Sequence, residues 1–263
     1  DFAKNPQDAA KRINSWVEEQ TRQRIRNVIS DDALNEASRL VLVNAIYMQA
    51  PWAKKFKSVN TKPRPFRVAD SKPVNVPTMV DQREFGYLKQ RGFCVIAIPY
   101  AGGDLQFLIL LPDKVKGLAG LEKKLTAADF LKFTNLSLRE IILYLPKLKL
   151  EPPALSLSKG LQSLGMKSAF DQPRGSANFN RIAPPQQSDY LRISDIVHKT
   201  HLNLDEEGTE AAAATVIFMT MSSVGASDYI KPIEVRVDRP FLFVIQHRVS
   251  GTCLFLGRVV DPR

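Results

Sequence analysis

Several protein classes are excluded by what this sequence lacks. It has two cysteines in 263 residues, Cys94 and Cys253, which is too few for a disulfide-dense scaffold or a four-cysteine zinc site. We expect both to be buried free thiols, and we expect no metal or cofactor. The longest apolar runs, residues 40–48 and 107–111, have the length of strands and fall far short of the ~20 residues that a membrane helix needs. The protein is therefore expected to be soluble, without a membrane partner.

Signatures of catalysis are also missing. No Gly-x-Ser-x-Gly motif occurs, and none of the three histidines lies in a catalytic signature, so the chain is not expected to be an enzyme. The sequence opens on Asp1, with neither an initiator Met nor a charged leader before an apolar stretch. We interpret it as a crop or a processed product in which no targeting signal is visible.

The net charge of +10 favours polyanionic partners, but the basic residues are scattered from Lys4 to Arg263. Arg22, Arg24 and Arg26 form the tightest cluster, and their alternate spacing would fan the side chains around a helix. Surfaces that bind nucleic acid typically have aromatic residues among the basic ones, and no aromatic residue lies within this cluster. We expect no nucleic-acid partner and keep a polyanion as an alternative partner.

Local patterns predict a mixture of helices and strands. Asn5 followed by Pro6 is a typical helix start, and the apolar spacing predicts an amphipathic helix of about 20 residues. Residues 40–47 are a continuous apolar run broken by Asn44, which predicts a strand buried on both faces in the middle of a large sheet. Further strands are predicted over residues 66–69, 74–79, 86–88, 94–99, 105–111, 140–150, 193–204, 240–244 and 254–260.

Three more helices are predicted over residues 118–125, 127–133 and 155–164, the second capped by Thr126 and the third ended by Gly165. Residues 100–104, with paired glycines at 102–103, predict a hairpin connection, and the polar residues 171–188 predict a loop. Because the elements do not alternate regularly and no internal repeat is visible, the predicted fold class is α+β.

One segment does not fit an ordinary fold. Residues 206–215 read Glu-Glu-Gly-Thr-Glu-Ala-Ala-Ala-Ala-Thr, and residues 216–229 after them have no core-like pattern. The alanines favour a helix, yet no apolar stripe would dock that helix on a core. Small side chains would also let the segment enter a sheet without overpacking the layer beneath. The pattern suits a conformational switch, and an exposed connection with an alanine-rich helical turn is the alternative.

This segment resembles the hinge of the serpins, a family of protease inhibitors. Other motifs that resemble serpin sequences follow one another in the same order along the chain. They are Ile13–Val17, Leu42–Tyr47, Val197–Lys199, Asp238–Phe243 and Phe255–Pro262. The resemblance implies one serpin domain over residues 1–263 that is incomplete at its N-terminus, with a reactive loop at about 206–232. It also implies a large mixed central sheet, smaller antiparallel sheets or a barrel, and surrounding helices.

The resemblance implies an irreversible, suicide inhibitor of serine endopeptidases. In serpins a protease attacks the exposed loop, forms an acyl-enzyme, and is carried along when the cleaved loop inserts into the main sheet. A non-inhibitory serpin acting as a carrier or chaperone, and an inhibitor of cysteine proteases, are the alternatives. An extracellular location and a monomeric full-length protein are expected. Missing N-terminal elements would leave the strand around Asn44 with an unpaired edge, so this chain alone is not expected to inhibit.

The resemblance also assigns candidate site residues. The reactive bond falls at Ser222-Ser223, fourteen positions after Gly208, with Phe218, Met219, Met221 and Tyr229 as rivals because the loop is longer than usual. The hinge consists of Glu206, Glu207, Gly208, Thr209, Glu210, Ala211, Ala212, Ala213, Ala214 and Thr215. Asn44, His198, Lys147 and Trp52 match positions where the sheet opens, and Lys147 is expected to pair with Glu206. None of the candidate attacked residues is Arg or Lys, so an elastase-, subtilisin- or chymotrypsin-like target is expected.

Overall fold

The computed structural model describes residues 4–30, 32–35, 38–68, 71–184, 190–209 and 231–263. The α-helices in these ranges are α1 (Pro6–Gln20), α2 (Leu118–Glu122), α3 (Ala127–Lys132) and α4 (Ser158–Ser163), and short 3-10 helices cover Ser58–Asn60 and Ser168–Phe170. The strands are β1 (Leu40–Tyr47), β2 (Ala50–Pro51), β3 (Lys62–Phe66), β4 (Val74–Gln90), β5 (Phe93–Pro99), β6 (Leu105–Pro112), β7 (Leu138–Pro146), β8 (Leu148–Leu150), β9 (Leu155–Ser156), β10 (Ile193–Leu204), β11 (Gly208–Thr209), β12 (Ile233–Arg236), β13 (Phe241–His247) and β14 (Cys253–Val259).

The chain divides into two compact units. One comprises Asp1–Met48 and Leu150–Leu202, and the other comprises Gln49–Lys149 and Asn203–Arg263. In the first unit β1 pairs in parallel with β10, from Leu40 opposite Ile193 to Tyr47 opposite His201. β9 pairs antiparallel with β10. Parallel and antiparallel pairs thus occur together with helices, which confirms the predicted α+β class.

The predicted strand at 40–47 is present, but it is not buried on both faces. Val41, Val43, Ala45 and Tyr47 pack against the core that α1 helps to form. Of the residues on the opposite face, Leu42 is 41% exposed and Ile46 36%. Among the described strands β1 also stands last in its sheet. The apolar run therefore forms a strand with one packed face.

Helix α1 begins as predicted and ends earlier. Asn5 Oδ1 accepts a hydrogen bond from the Asp8 N–H at 3.0 Å, and Pro6 occupies the first turn. The Thr21 hydroxyl donates to the Val17 carbonyl at 2.7 Å, and Arg22 then takes a φ of 49°. A positive φ cannot continue a right-handed helix. The arginine cluster at 22–26 was predicted to lie on this helix, but it follows the end of the helix.

The second unit is built on an eight-stranded sheet in the order β12-β7-β4-β5-β6-β13-β14, with β3 paired to β4. The hairpin predicted at 100–104 joins β5 to β6. Where residues 74–79 and 86–88 predicted two short strands, β4 runs unbroken for 17 residues. The polar stretch between them stays extended because it pairs with β7 from Thr78 to Gly86. A strand was predicted at residues 66–69, but β3 ends at Phe66 instead of beginning there. Among the described strands β3 pairs with β4 alone, and its two prolines suit such an edge strand because proline has no N–H to donate.

Other predicted elements are shorter than expected, among them the helix predicted at 118–125, which ends at Glu122. Helix α4 starts at Ser158, because Leu155 and Ser156 pair with β10 instead of joining the helix. Gly165 follows the helix with a φ of 105°, as a helix stop requires. The strand predicted at 140–150 is broken between β7 and β8 at Lys147. Both cysteines were predicted to be buried free thiols. The prediction is confirmed for Cys94, and it is wrong for Cys253, which is exposed.

Within the described ranges, no helix is both long enough and apolar enough to cross a membrane.

The core of the second unit provides a test of the fold. Leu110 on β6 is fully buried, whereas Leu138 on β7 is 61% exposed. Leu110→Ala should lower the free energy of unfolding by about 2–5 kcal/mol, because it leaves a cavity in a packed cluster. Leu138→Ala should cost less than about 1 kcal/mol. Urea unfolding followed by tryptophan fluorescence, to which the buried Trp52 contributes, would measure both free energies, and equal effects would contradict the described packing.

Candidate functional site

The first residues of the hinge already lie in a sheet. Gly208 and Thr209 form β11, which pairs antiparallel with Leu204 at the end of β10 and with Ala50 and Pro51 of β2. The turn between β10 and β11 is closed by a hydrogen bond from the Asp205 N–H to the Gly208 carbonyl at 2.9 Å. The chain therefore reaches position 209 as a strand, with only Glu210 between it and the alanine run.

Gly208 is required by a close approach of two backbones. A Cβ atom at this position would lie 2.2 Å from the carbonyl oxygen of Ala50 and 2.7 Å from the Cα of Pro51. Its φ of 150° is also one that L-residues seldom adopt. Glycine thus lets β11 fit beside β2 where any other residue would push the strands apart.

Thr209 is buried against an aromatic cluster. Its side chain is fully buried, and its hydroxyl is hydrogen-bonded to the Tyr100 hydroxyl at 2.5 Å. Burial raises the pKa of Tyr100 well above its usual value, although the bond to Thr209 partly offsets this, so the phenol stays neutral. Trp52 stacks on the Tyr100 ring with centroids 4.7 Å apart. The site therefore encloses a threonine side chain. A longer side chain would not fit there, and a charged one would have no hydrogen-bond or ion-pair partner.

The acidic residues before β11 are held by backbone hydrogen bonds. The Trp52 N–H donates to the Glu207 carbonyl at 2.9 Å, and the Phe56 N–H donates to the Glu206 carbonyl at 3.0 Å. The Trp52 indole N–H donates to the Asp205 carbonyl at 2.8 Å. Lys55 forms an ion pair with the Glu207 carboxylate. Residues 52–56 thus bind three consecutive residues of the acidic turn.

Lys147 and Glu206 lie together in the structure. The Lys147 ammonium donates to Glu206 Oε2 at 2.8 Å, and the Thr61 hydroxyl donates to Oε1 at 2.7 Å. Burial by itself would raise the pKa of Glu206, but these two hydrogen bonds and the charge of Lys147 hold that pKa below its usual value. Lys147 reaches the carboxylate from the break between β7 and β8.

The other predicted site residues fall into two groups. Asn44 and His198 occupy facing register positions on β1 and β10, in the first unit. Glu210 to Thr215, Ser222, Ser223 and the rival positions at 218–229 lie outside the described residues. The reactive bond and most of the hinge therefore stay predictions.

Sequence reasoning missed several residues of this site, Phe56 among them. Tyr100 was assigned to a hairpin loop, and Thr61 and Lys55 belong to no recognisable motif. Their contacts join residues about 100 to 150 positions apart, which no local pattern indicates. Within the described part of the chain, no cluster of three or more His, Cys, Asp or Glu could hold a metal ion.

The close approach at Gly208 predicts the effect of adding one methyl group. Gly208→Ala should strain the β2–β11 pairing by about 1–3 kcal/mol. Hydrogen exchange of the Trp52 amide, measured by mass spectrometry of the peptide that contains it, should then become tenfold faster or more. Gly120→Ala is the matched control, because a Cβ there meets nothing within 4 Å. Unchanged Trp52 exchange in Gly208→Ala would contradict the described fit.

The ion pair predicts a shift in the titration of Glu206. Its folded pKa is lowered, so the ionised carboxylate stabilises this site at neutral pH and loses that effect as the pH falls below about 4. Lys147→Met should raise the pKa of Glu206, since the partly buried carboxylate loses its cation. Carbon-13 NMR titration of the Glu206 carboxyl would measure this, with exposed Lys57→Met as control. The same Glu206 pKa in both variants would exclude the ion pair.

Comparison with known proteins agrees with this geometry. The family model described as Serpin (serine protease inhibitor) matches residues 1–262. The leukocyte elastase inhibitor of Xenopus tropicalis is 35% identical over 269 residues, covering 100% of this chain and 68% of that protein. Serpin B4 of Homo sapiens is 37% identical over 268 residues, covering 100% of this chain and 66% of that protein. The crystal structure of uncleaved ovalbumin superimposes with a TM-score of 0.82 at 31% identity, covering 100% of this chain and 65% of that one.

These matches bear on the expectations from the sequence. They support an inhibitor family and not an enzyme, and they confirm the mixed-sheet serpin fold. The chain spans about two thirds of the length of the relatives that it matches. None of the relatives' names supports the extracellular location that we expected. With the hinge-like strand, the family match and the shared fold in agreement, the chain belongs to the serpin family.

Proposed function

We propose that this protein inhibits serine proteases irreversibly, as a suicide substrate. The protease serine attacks the carbonyl carbon of Ser222, an ester to that carbonyl forms, and the peptide bond to Ser223 breaks with release of its amine. The freed hinge then enters the sheet beyond Thr209 while the protease is still attached. Insertion of about 14 residues at roughly 3.3 Å each would carry the protease some 45 Å.

The observation that supports this proposal most directly is the position of β11. Gly208 and Thr209 are already paired between β2 and the end of β10, so insertion would extend an existing strand instead of nucleating a new one. The next residues are Glu210 and four alanines. Small side chains can be buried in a sheet at little packing cost, whereas large or charged ones cannot.

We assign supporting roles to the residues around β11. Trp52 and Phe56 fix the acidic turn through backbone bonds, and Lys147 fixes Glu206 through its carboxylate. These contacts would hold the hinge at the entrance to the sheet before cleavage. Asn44 and His198 occupy facing positions of the first unit's parallel pair, and we propose that they lie where the strands must separate.

The target is inferred from the residues of the loop. Ser222, and the rival positions Phe218, Met219, Met221 and Tyr229, are small or apolar and uncharged at neutral pH. Such residues suit elastase-, subtilisin- or chymotrypsin-like specificity and do not suit trypsin-like specificity. A relative named leukocyte elastase inhibitor supports an elastase-like target.

An assay for a covalent complex tests the proposal. The longest natural form of the protein that contains this chain is mixed with pancreatic elastase, chymotrypsin and trypsin, and the products are separated in SDS. An SDS-stable adduct is expected with elastase or chymotrypsin and not with trypsin, because only the former accept these residues. With elastase, mass spectrometry of the released C-terminal fragment should give Ser223 as its first residue. Cleavage without an adduct would indicate a substrate-like, non-inhibitory serpin and would contradict the proposal.

Thr209→Arg should convert the inhibitor into a substrate. An arginine side chain has no partner in the enclosed site beside Tyr100, so β11 could not form and insertion would be too slow to trap the acyl-enzyme. The adduct should fall at least about tenfold relative to simple cleavage, as measured by densitometry. Thr209→Ser keeps the hydroxyl and should retain the adduct. Equal adduct yields from the two variants would argue against insertion through position 209.

A further inference from the structure

A small cavity in the second unit is lined by two arginines and a tyrosine. Arg64 lies on β3, Tyr144 on β7 and Arg236 on β12. The cavity has a volume of about 70 Å³. The residues that line it differ from those that bind Glu206 to Thr209, so the proposed inhibitory mechanism does not account for it.

Tyr144 positions both guanidinium groups. The Arg64 Cζ lies over the Tyr144 ring at 4.8 Å from the centroid, and the Arg236 Cζ lies over the same ring at 4.3 Å. Arg236 is also the direct register partner of Tyr144 across the β12–β7 pair. Stacking on a ring restrains a guanidinium group while leaving the donors at its edge available to a ligand.

The charge around the cavity is not balanced among these residues. Asp238 also lines it, but its two carboxylate oxygens bind Arg67 and Arg239. The Arg236 Nε donates to Glu234. Arg64 has a buried Nε atom with no hydrogen-bond partner in the described part of the chain. Arg67, Arg236 and Arg239 thus bind these two carboxylates, which leaves the Arg64 Nε without an acceptor in the described part of the chain.

We propose that this cavity, formed by Arg64, Tyr144 and Arg236, binds a small oxyanion: a sulfate, phosphate or carboxylate group. Guanidinium edges pair with such groups through two parallel hydrogen bonds, and a bound anion would give the Arg64 Nε an acceptor. It would also offset the repulsion between two cations held over one ring. The volume suits a single anionic group, either free or at the end of a larger molecule, and does not suit a polymer chain.

Binding is tested with sodium sulfate, inorganic phosphate and sodium acetate, each against sodium chloride at the same ionic strength. The longest natural form of the protein should show a saturable rise in melting temperature with at least one of the three anions. The Nε–H resonance of Arg64 should shift with the same midpoint. A response to acetate identifies a carboxylate ligand, and a response to sulfate or phosphate identifies a tetrahedral one.

Three variants decide whether the response comes from this cavity. R64Q and R236Q should each weaken the apparent affinity at least about tenfold. R139Q removes an exposed arginine from the same strand as Tyr144 and should leave the affinity unchanged. Circular dichroism and the melting temperature in chloride would confirm that each variant is folded. A response equal to that of chloride, or one that survives in both R64Q and R236Q, would overturn the proposal.

Discussion

At Gly208 the backbone runs so close to residues 50–52 that no side chain has a place there. The rest of the site depends on this approach. It allows β11 to pair with β2, which brings Thr209 to the Tyr100 hydroxyl and aligns the Glu207 carbonyl with the Trp52 amide. A hinge that starts elsewhere would leave those buried polar groups without partners, at a cost of about 1–3 kcal/mol each.

Charged contacts around the acidic turn have a different role from the backbone pairing. The Lys147 side chain is 38% exposed, so its ion pair with Glu206 contributes modestly to stability. The contact instead restricts where the turn can lie, together with Thr61 and the backbone bonds from Trp52 and Phe56. In the proposed mechanism this contact would keep the acidic turn at the entrance to the sheet while the residues beyond Thr209 insert.

The sequence predicted some of this well and some poorly, for physical reasons. Strand β1 was found because apolar residues dominate it, and α1 was found because Asn5 and Pro6 start it. The full length of β4 was missed, since its polar middle is extended only through pairing with β7. Tyr100 was missed because its role depends on a contact with Thr209 across 109 positions. The hinge and the reactive bond came from the serpin resemblance, and the bond at Ser222-Ser223 stays a prediction.

The proposed mechanism requires that free energy be stored before cleavage and released when the loop enters the sheet. The most direct measurement is the melting temperature of the longest natural form of the protein, intact and after cleavage of the loop by a protease that it does not trap. Extension of the strand from Thr209 through the alanine run predicts a rise of about 10 °C or more, which for a domain of this size corresponds to several kcal/mol. An unchanged melting temperature would contradict the account, because cleavage would then have released no stored free energy.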